Sequence, residues 1–282
     1  MKILRNIFSI TNEKNKEIIY KVITILGFKI KFIKNPKQQV LEKLNRTIYI
    51  NNELSRKASM INNVWQFNNT KVFVPNYPID FIQKMIVNNN DYYEADVLLE
   101  LDNYIPENSV ILDLGANIGN HTLYWLISSK RNIQKVHSFE PVKTTFEILS
   151  KNIELNNLQS KAVLYNVGLF DKETKAEIFK YIIGNIGGTS LKEEQNGDIV
   201  LKRLDDIEFN EEHIDFMKID VENLEFQLLN GAKNLIDKYK PMIFVESFND
   251  YYKDINKFLI DRDYELIKEF PYSNYLYKHK TK

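Results

Sequence analysis

The run Val110-Ile-Leu-Asp-Leu-Gly-Ala-Asn-Ile-Gly-Asn-His-Thr122 decides the fold of this chain, because it joins a short apolar segment, a loop and the start of a helix. The apolar segment ends at Asp113, and the loop carries Gly115 and Gly119. A strand that enters a helix through such a loop is typical of a βα unit in a parallel sheet, where ligands bind beyond the carboxyl ends of the strands. The run therefore predicts a ligand site at this loop.

Short apolar runs alternate with amphipathic stretches on both sides of this unit, which predicts a doubly wound α/β sheet. The predicted strands are 109–113, 134–139, 161–166, 214–219 and 241–246. The predicted helices are 119–130, 142–156, 223–238 and 251–261. Two late β runs, 264–270 and 275–279, add an antiparallel pair at one edge and complete seven strands, with residues 175–200 as an insertion.

An N-terminal α+β extension, residues 1–78, precedes the predicted main domain, residues 79–282. Within the extension, the pattern predicts a hairpin over 20–33, one or two polar-faced helices over 38–63, and a strand pair over 65–74 that leads into the connector 75–78. The polar-faced helices can pack on a partner subunit, so we expect a homo-oligomer.

The composition excludes several classes of function. Lys plus Arg and Asp plus Glu both total 38, and this balance disfavours a general nucleic-acid binder. The absence of cysteine excludes a disulfide framework, a thiolate nucleophile and Cys-ligated zinc. No apolar stretch approaches the length of about 20 residues that spans a bilayer, which predicts a soluble cytoplasmic protein.

The basic N-terminus is a separate feature of this otherwise balanced chain. Residues 1–40 carry nine Lys or Arg and two Glu. A basic surplus of this kind attracts the anionic inner leaflet of a membrane or an acidic partner. The same surplus also fits a solvated edge of a small β unit, and the sequence leaves both interpretations open.

The loop after the first main-domain strand differs from a dinucleotide-binding fingerprint. Starting from Gly115, the pattern G-x-G-x-x-G would require glycine at Asn117 and Asn120. An acid at the strand end, Asp113, suits a cation with an amino acid tail better than a pyrophosphate, which favours S-adenosylmethionine over NAD. Glu140 ends the next predicted strand, where a carboxylate can accept both ribose hydroxyls.

Five separated segments agree in order and spacing with one known family. They are Asp113-Leu-Gly-Ala-Asn-Ile-Gly119, Phe139-Glu-Pro141, Asn166-Val-Gly-Leu169, Lys218-Ile-Asp-Val-Glu222 and Ile243-Phe-Val-Glu246. Together they resemble the FkbM family of class I methyltransferases over roughly residues 80–250. The resemblance implies a seven-strand methyltransferase fold, S-adenosylmethionine as the donor, and O-methylation of a sugar or another small hydroxylated molecule. Asn223 and Leu224 depart from the family, which often has Gly and Ala at these positions. This departure affects the expected shape of the acceptor side of the site more than that of the cofactor side.

The resemblance also implies which residues bind the donor. At the methionine half these are Asp113, Gly115, Asn117 and Gly119, with Thr122 at the helix start; at the ribose, Glu140 with Pro141; and at the adenine edge, Asn166 and Val167. Tyr93 and Glu94 resemble residues that close over the cofactor. Residues 8–14 and 21–32 are similar to a leader segment of bacterial enzymes that build surface polysaccharide, which favours a glycan or nucleotide-sugar acceptor.

Methyl transfer to a weakly acidic hydroxyl needs a general base close to the methyl group. Asp220 ends the fourth predicted strand and is the first candidate, with Glu222 and Glu246 as alternatives and His121 as a further base. The three acids could instead hold Mg²⁺, although the sequence does not require a metal. The acids also fit structural roles, as partners of a lysine, a helix start and a loop.

Three other functions compete with O-methylation. An enzyme of the same fold could methylate the nitrogen of an amino-sugar or another small amine, which would arrive uncharged without a base. A non-catalytic scaffold would use residues 38–63 for assembly. An RNA methyltransferase is disfavoured by the neutral charge. For an enzyme, the glycine-containing segment 185–191 is predicted to border the acceptor pocket.

Overall fold

The computed structural model describes residues 8–15, 18–25, 28–33, 36–182 and 184–282 of the chain. Contacts between residues divide the chain into two units, Met1–Ser59 and Met60–Lys282. The sequence placed the boundary at residue 78 instead. The segment 60–78 belongs to the second unit because Phe67, Val72 and Tyr77 are buried in that unit's core.

The first unit is a three-stranded antiparallel sheet followed by one long helix. Its elements are β1 (Phe8–Asn15), β2 (Ile18–Ile25), β3 (Phe28–Ile33) and α1 (Pro36–Ser59). Tyr20 of β2 lies opposite Ile33 of β3, which confirms the pairing of the predicted hairpin, while its turn residues 26 and 27 lie outside the described residues. The region predicted as one or two helices is the single helix α1.

The second unit contains the rest of the regular structure. Its elements are β4 (Val64–Phe67), β5 (Thr70–Phe73), α2 (Phe81–Asn89), α3 (Ala95–Leu101), β6 (Val110–Leu114), α4 (Asn120–Ile127), β7 (Lys135–Phe139), α5 (Lys143–Leu155), β8 (Ala162–Tyr165), β9 (Gly168–Leu169), β10 (Thr174–Ile182), β11 (Asn185–Glu193), β12 (Ile199–Lys202), β13 (Phe216–Ile219), α6 (Glu225–Asn230), α7 (Lys233–Tyr239), β14 (Met242–Glu246), α8 (Asn249–Ile260), β15 (Tyr264–Phe270) and β16 (Asn274–His279).

The main sheet has seven strands in the order β15-β16-β14-β13-β6-β7-β8. The five strands from β14 to β8 pair in parallel, and β16 is antiparallel to both of its neighbours. The central strands β6 and β13 are buried along their whole length, as expected for a parallel sheet covered on both faces. This is the doubly wound, seven-strand α/β fold of class I methyltransferases, as predicted.

Two hydrophobic cores lie on opposite faces of this sheet. Ile111 and Phe216 point into one core with α2 to α5, and Leu112 and Met217 point into the other with α6 to α8. This alternation follows from the two-residue period of a strand. Helices α2 and α3 have no counterpart among the predicted elements, because with nine and seven residues they are short for detection by helical periodicity.

Two regions differ in detail from the predicted elements. The predicted helix 223–238 is divided into α6 and α7, because the carboxylate of Asp205 accepts N–H groups of Asn234 and Leu235 at 3.2 and 2.9 Å and so begins a new helix. The predicted insertion 175–200 forms most of a second sheet, in the order β11-β10-β12-β9. Within the described residues, no helix has the length and apolarity needed to cross a bilayer.

Candidate active site

A cavity of about 360 Å³ lies at the carboxyl ends of the central strands, within the range of roughly 300–1,000 Å³ usual for small-molecule sites. Its floor is formed where Gly115 follows β6, Glu140 follows β7, Asp220 follows β13, and Glu246 ends β14. This is the edge where open α/β sheets bind ligands. The start of α2, the segment before α3, and β11 complete the wall.

The two glycines of the loop after β6 serve the packing of the loop itself. Gly115 has a φ of +84°, and a Cβ there would overlap the carbonyl oxygen of Asp220 at the end of β13. Gly119 has a φ of +86° and precedes α4, and a Cβ there would press on the side chain of Leu149. Glycine adopts both conformations without steric cost. The close approach that Gly115 permits is therefore to the protein backbone at Asp220.

Asp113 is buried beneath the loop and does not reach the cavity wall. One carboxylate oxygen accepts a hydrogen bond from Thr122 at 2.6 Å, and the other lies 3.5 Å from the ammonium of Lys218. Lys218 lies opposite Asp113 in the register of β6 and β13. Asp113 therefore lies outside the cavity lining while its partner Lys218 belongs to that lining, and its contact with the donor stays a prediction.

Lys218 is a buried cation in the wall of the cavity. Its Nζ donates to the carbonyl oxygen of Gly115 at 2.7 Å and lies 3.2 Å from a carboxylate oxygen of Asp220. Burial favours the neutral amine, but the charges of Asp220 and Asp113 outweigh it and raise the pKa of Lys218. Lys218 thus stays charged and holds the glycine loop against the acidic end of β13.

Glu140 is buried with both carboxylate oxygens already in use. Oε2 accepts the N–H of Asn117 at 3.1 Å and Oε1 accepts the N–H of Val142 at 2.8 Å. Each oxygen keeps one further lone pair for a hydroxyl donor. Burial raises the pKa of Glu140 to about 7, against the two backbone hydrogen bonds. Asn166 lies behind this residue, outside the wall, and its amide donates to the carbonyl oxygen of Glu140 at 2.8 Å.

Three acids meet at the tips of β13 and β14. Burial opposes the ionisation of Asp220, but Lys218 and a hydrogen bond from Glu246 lower its pKa. Burial and the charge of Asp220 raise the pKa of Glu246. Glu246 therefore keeps its proton and donates a hydrogen bond to the ionised Asp220. Burial, with the charge of Asp220, raises the pKa of Glu222 to about 7.

Glu222 is held in position by a strained turn between β13 and α6. Glu222 and Asn223 have φ values of 52° and 75°, in the left-handed region that non-glycine residues seldom adopt. Glu225 stabilises the turn by accepting the N–H groups of Val221 and Asn223. Asn is among the side chains that tolerate this conformation best, which explains how it can stand where the family often has glycine.

The segment before α3 closes one side of the cavity. The side chain of Asn120 binds both backbone groups of Tyr93, accepting from its N–H at 3.0 Å and donating to its carbonyl at 2.9 Å. Glu94 lies 3.4 Å from Nε2 of His121 and also bonds the hydroxyl of Tyr93. Burial and the nearby carboxylates raise the pKa of Tyr93, so its hydroxyl stays protonated.

The insertion supplies the opposite side through β11. Residues 185–189 and Leu191 line the cavity, as the sequence predicted for this segment, but they belong to a strand rather than a free loop. Asp80 fastens this strand to α2. One of its oxygens accepts the N–H of Gln83 and the other accepts the N–H of Ile186, each at 3.0 Å.

Most of the residues predicted for the site line the cavity together. These are Tyr93, Glu94, Gly115, Asn117, His121, Glu140, Pro141, Val167, Asp220, Glu222 and Glu246. Four predicted donor-binding residues, Asp113, Gly119, Thr122 and Asn166, lie behind the wall. The wall also contains residues that the sequence analysis did not assign: Phe81, Ile82, Asn120, Thr145, Lys218, Phe244, Phe248 and Asn274. Only Lys218 had a sequence signal, as a charge inside an apolar strand.

A possible metal site matters here because the sequence left Mg²⁺ open as an alternative role for three acids. No three His, Asp or Glu side chains in the described part of the chain are arranged to hold a metal ion. The predicted Mg²⁺ alternative for Asp220, Glu222 and Glu246 therefore gains no geometric support.

The comparisons with known proteins agree with this geometry. The model of the methyltransferase FkbM domain matches residues 113–266, just over half of the chain. The methyltransferase sdnD of Sordaria araneosa is 28% identical over 162 residues, which cover 45% of this chain and 62% of that protein. Methyltransferase 1 of Beauveria bassiana is 26% identical over 176 residues, which cover 54% of this chain and 67% of the relative.

Among solved structures, the FkbM methyltransferase from Methylobacillus flagellatus KT aligns with a TM-score of 0.47 at 19% identity, covering 70% of this chain and 52% of that one. The family model carries the assignment, since it spans the glycine loop and the acids at the strand ends. This chain therefore belongs to the FkbM methyltransferase family.

Proposed function

We propose that this methyltransferase uses S-adenosylmethionine to methylate a hydroxyl group of a sugar, presented as a free sugar, a nucleotide-sugar or a glycan in bacterial surface polysaccharide synthesis. The observation that carries the proposal is that Asp220 and Glu246 line the cavity as a hydrogen-bonded pair, with Lys218 3.2 Å from a carboxylate oxygen of Asp220. A carboxylate beside a proton donor suits an acceptor that must be oriented and then deprotonated. The similarity of residues 8–14 and 21–32 to a leader segment of polysaccharide-building enzymes supports a sugar as the acceptor.

The cavity fits S-adenosylmethionine in its polar groups. Glu140 has lone pairs free for two ribose hydroxyls. Asn117 Oδ1 and Thr145 Oγ1 are buried and have no hydrogen-bond partner among the described residues, so they suit polar atoms of the donor. Val167 and Leu169 offer apolar contact to the adenine. When bound, S-adenosylmethionine supplies an activated methyl group and leaves as S-adenosylhomocysteine.

Asp220 would act as the general base in this reaction. As the new bond to carbon forms, the acceptor oxygen gains positive charge and its proton becomes strongly acidic. A carboxylate with a lowered pKa can therefore accept the proton at that moment, which contributes roughly 10²–10⁴ in rate. Glu246 would orient Asp220 by donating a hydrogen bond to it. The acceptor proton ends on Asp220.

The first test uses the donor and a panel of sugars. Titration calorimetry should show S-adenosylmethionine binding, and mass spectrometry should show the gain of one methyl group on a sugar. Asp220→Asn should lower kcat by about 10²–10⁴ at every pH and leave donor affinity within about threefold. Asp206→Asn, at an exposed acid outside the cavity, is the matched control and should retain full activity.

Two outcomes would contradict the proposal. Absence of donor binding to the parent protein would remove the enzymatic function. An Asp220→Asn rate that recovers when the pH is raised would indicate an amine acceptor, because an amine loses its proton to water at high pH and needs no base.

A further inference from the structure

The charges in the cavity wall are strongly unbalanced. Five carboxyl groups contribute to it: Glu94, Glu140, Asp220, Glu222 and Glu246. Of the described residues that line it, Lys218 is the only Lys or Arg and His121 is the only His. The wall is therefore acidic, although the whole chain carries no net charge.

Both basic side chains of the wall already face carboxylates. An ammonium has three N–H donors. Lys218 donates to Gly115 O at 2.7 Å and to Asp220 at 3.2 Å, and it forms an ion pair with Asp113 at 3.5 Å without a hydrogen bond. His121 faces the carboxylate of Glu94. A second anion could recruit Lys218 only by weakening one of its contacts.

A phosphate group in this cavity would therefore be poorly compensated. Proteins bind phosphates with forked Arg groups, with free Lys or with the N–H groups at helix N-termini, and of these the described wall offers only helix N-termini, such as the start of α4 at Asn120. Here an incoming diphosphate would face ionised Asp220, and like charges repel strongly where water is excluded. Lys180 on β10 attracts Glu222 but does not line the cavity.

Apolar rings complete the acceptor side. Phe81 and Phe248 line the cavity and are 44% and 54% exposed, which leaves large parts of both rings open to contact. Aromatic rings bury apolar surface without requiring charge on the ligand. They suit the apolar face of an uncharged ring.

We propose, building on the function proposed above, that the acceptor enters this cavity as an uncharged hydroxylated molecule, a free sugar or a glycan end, and that phosphate-bearing nucleotide-sugars are excluded. The cause is ionised Asp220 at the end of β13 with Glu222 close to it, while Lys218 is already paired. This narrows the acceptor class to molecules that reach the enzyme before phosphate activation or after transfer to a glycan.

The test measures anion binding and does not depend on knowing the sugar. The protein saturated with S-adenosylhomocysteine is titrated with inorganic pyrophosphate and with UDP-glucose. The parent should show no saturable binding of either at millimolar concentration. Glu222→Lys should raise the affinity for pyrophosphate by at least about tenfold, and Glu222→Gln by a smaller factor. Glu173→Lys, at an exposed acid outside the wall, should change nothing.

Every outcome decides between the alternatives. Micromolar binding of UDP-glucose or pyrophosphate by the parent would overturn the proposal, as would equal affinities in the parent and both folded Glu222 variants. If Glu222→Lys fails to fold, Glu222→Gln alone carries the comparison. Binding of S-adenosylmethionine, measured on the same preparations, tests the proposed function separately, because it does not involve the acceptor anion.

Discussion

At the scale of single residues, Glu140 is expected to make donor binding depend on pH. Its pKa is raised to about 7, so roughly half of the free protein carries a neutral Glu140 at that pH. The neutral acid cannot accept hydrogen bonds from two ribose hydroxyls on both oxygens as the carboxylate can. Protons and donor therefore compete, and donor binding is favoured above the pKa.

We predict that the affinity for S-adenosylmethionine falls by about tenfold from pH 8 to pH 6. Titration calorimetry at pH 6, 7 and 8 measures this. Glu140→Gln should bind weakly and lose the pH dependence, since its amide cannot ionise. Glu222→Gln is the control, because Glu222 also has a pKa of about 7 and its removal should leave the dependence intact. A parent affinity that is constant over this range would contradict the role of Glu140.

At the scale of elements, one carboxylate joins α2 to β11. Asp80 is buried, caps α2 through Gln83 and holds β11 through Ile186. Phe81 adds a backbone hydrogen bond to the carbonyl oxygen of Gly184. The wall formed by residues 185–189 therefore depends on a side chain that precedes it by about a hundred positions.

Two substitutions separate the two tasks of Asp80. Asp80→Asn should keep the helix cap, because Asn is a good N-cap, but its amide nitrogen cannot accept from Ile186. We expect faster hydrogen exchange in β11 alone and a loss of about 1 kcal/mol in the free energy of unfolding. Asp80→Ala should speed hydrogen exchange in both α2 and β11 and lower the free energy of unfolding by about 2 kcal/mol. Mass spectrometry of exchange and urea unfolding measure both effects, and identical exchange patterns in the two variants would refute the assignment.

At the scale of the whole molecule, the described residues that line the cavity belong to the second unit. Every residue that lines it lies between Phe81 and Asn274, and both hydrophobic cores lie within residues 60–282. The first unit contributes α1, on which Val40, Leu44 and Leu54 are exposed. These apolar residues agree with the predicted role of this region in assembly, which stays a prediction.

We predict that residues 60–282 fold without the first unit and bind S-adenosylmethionine within about twofold of the full chain. Circular dichroism and calorimetry on the two proteins measure this. A shortened protein starting at residue 79 is the comparison: it lacks the buried Phe67, Val72 and Tyr77 and should be less stable. If the protein that starts at residue 60 does not fold while the full chain does, the second unit is not stable by itself and the prediction is wrong.

The sequence by itself determined the βα order, the seven strands and the acids that end them, because hydrophobic period and strand ends are local properties of a chain. It also placed Glu140, Asp220 and Glu246 at one edge, since parallel strands end together. Only the tertiary structure decided that Asp113 lies beneath Lys218 and that Glu246 donates a hydrogen bond to Asp220. Both facts depend on burial and on distances between residues far apart in the chain, which a local sequence pattern does not predict.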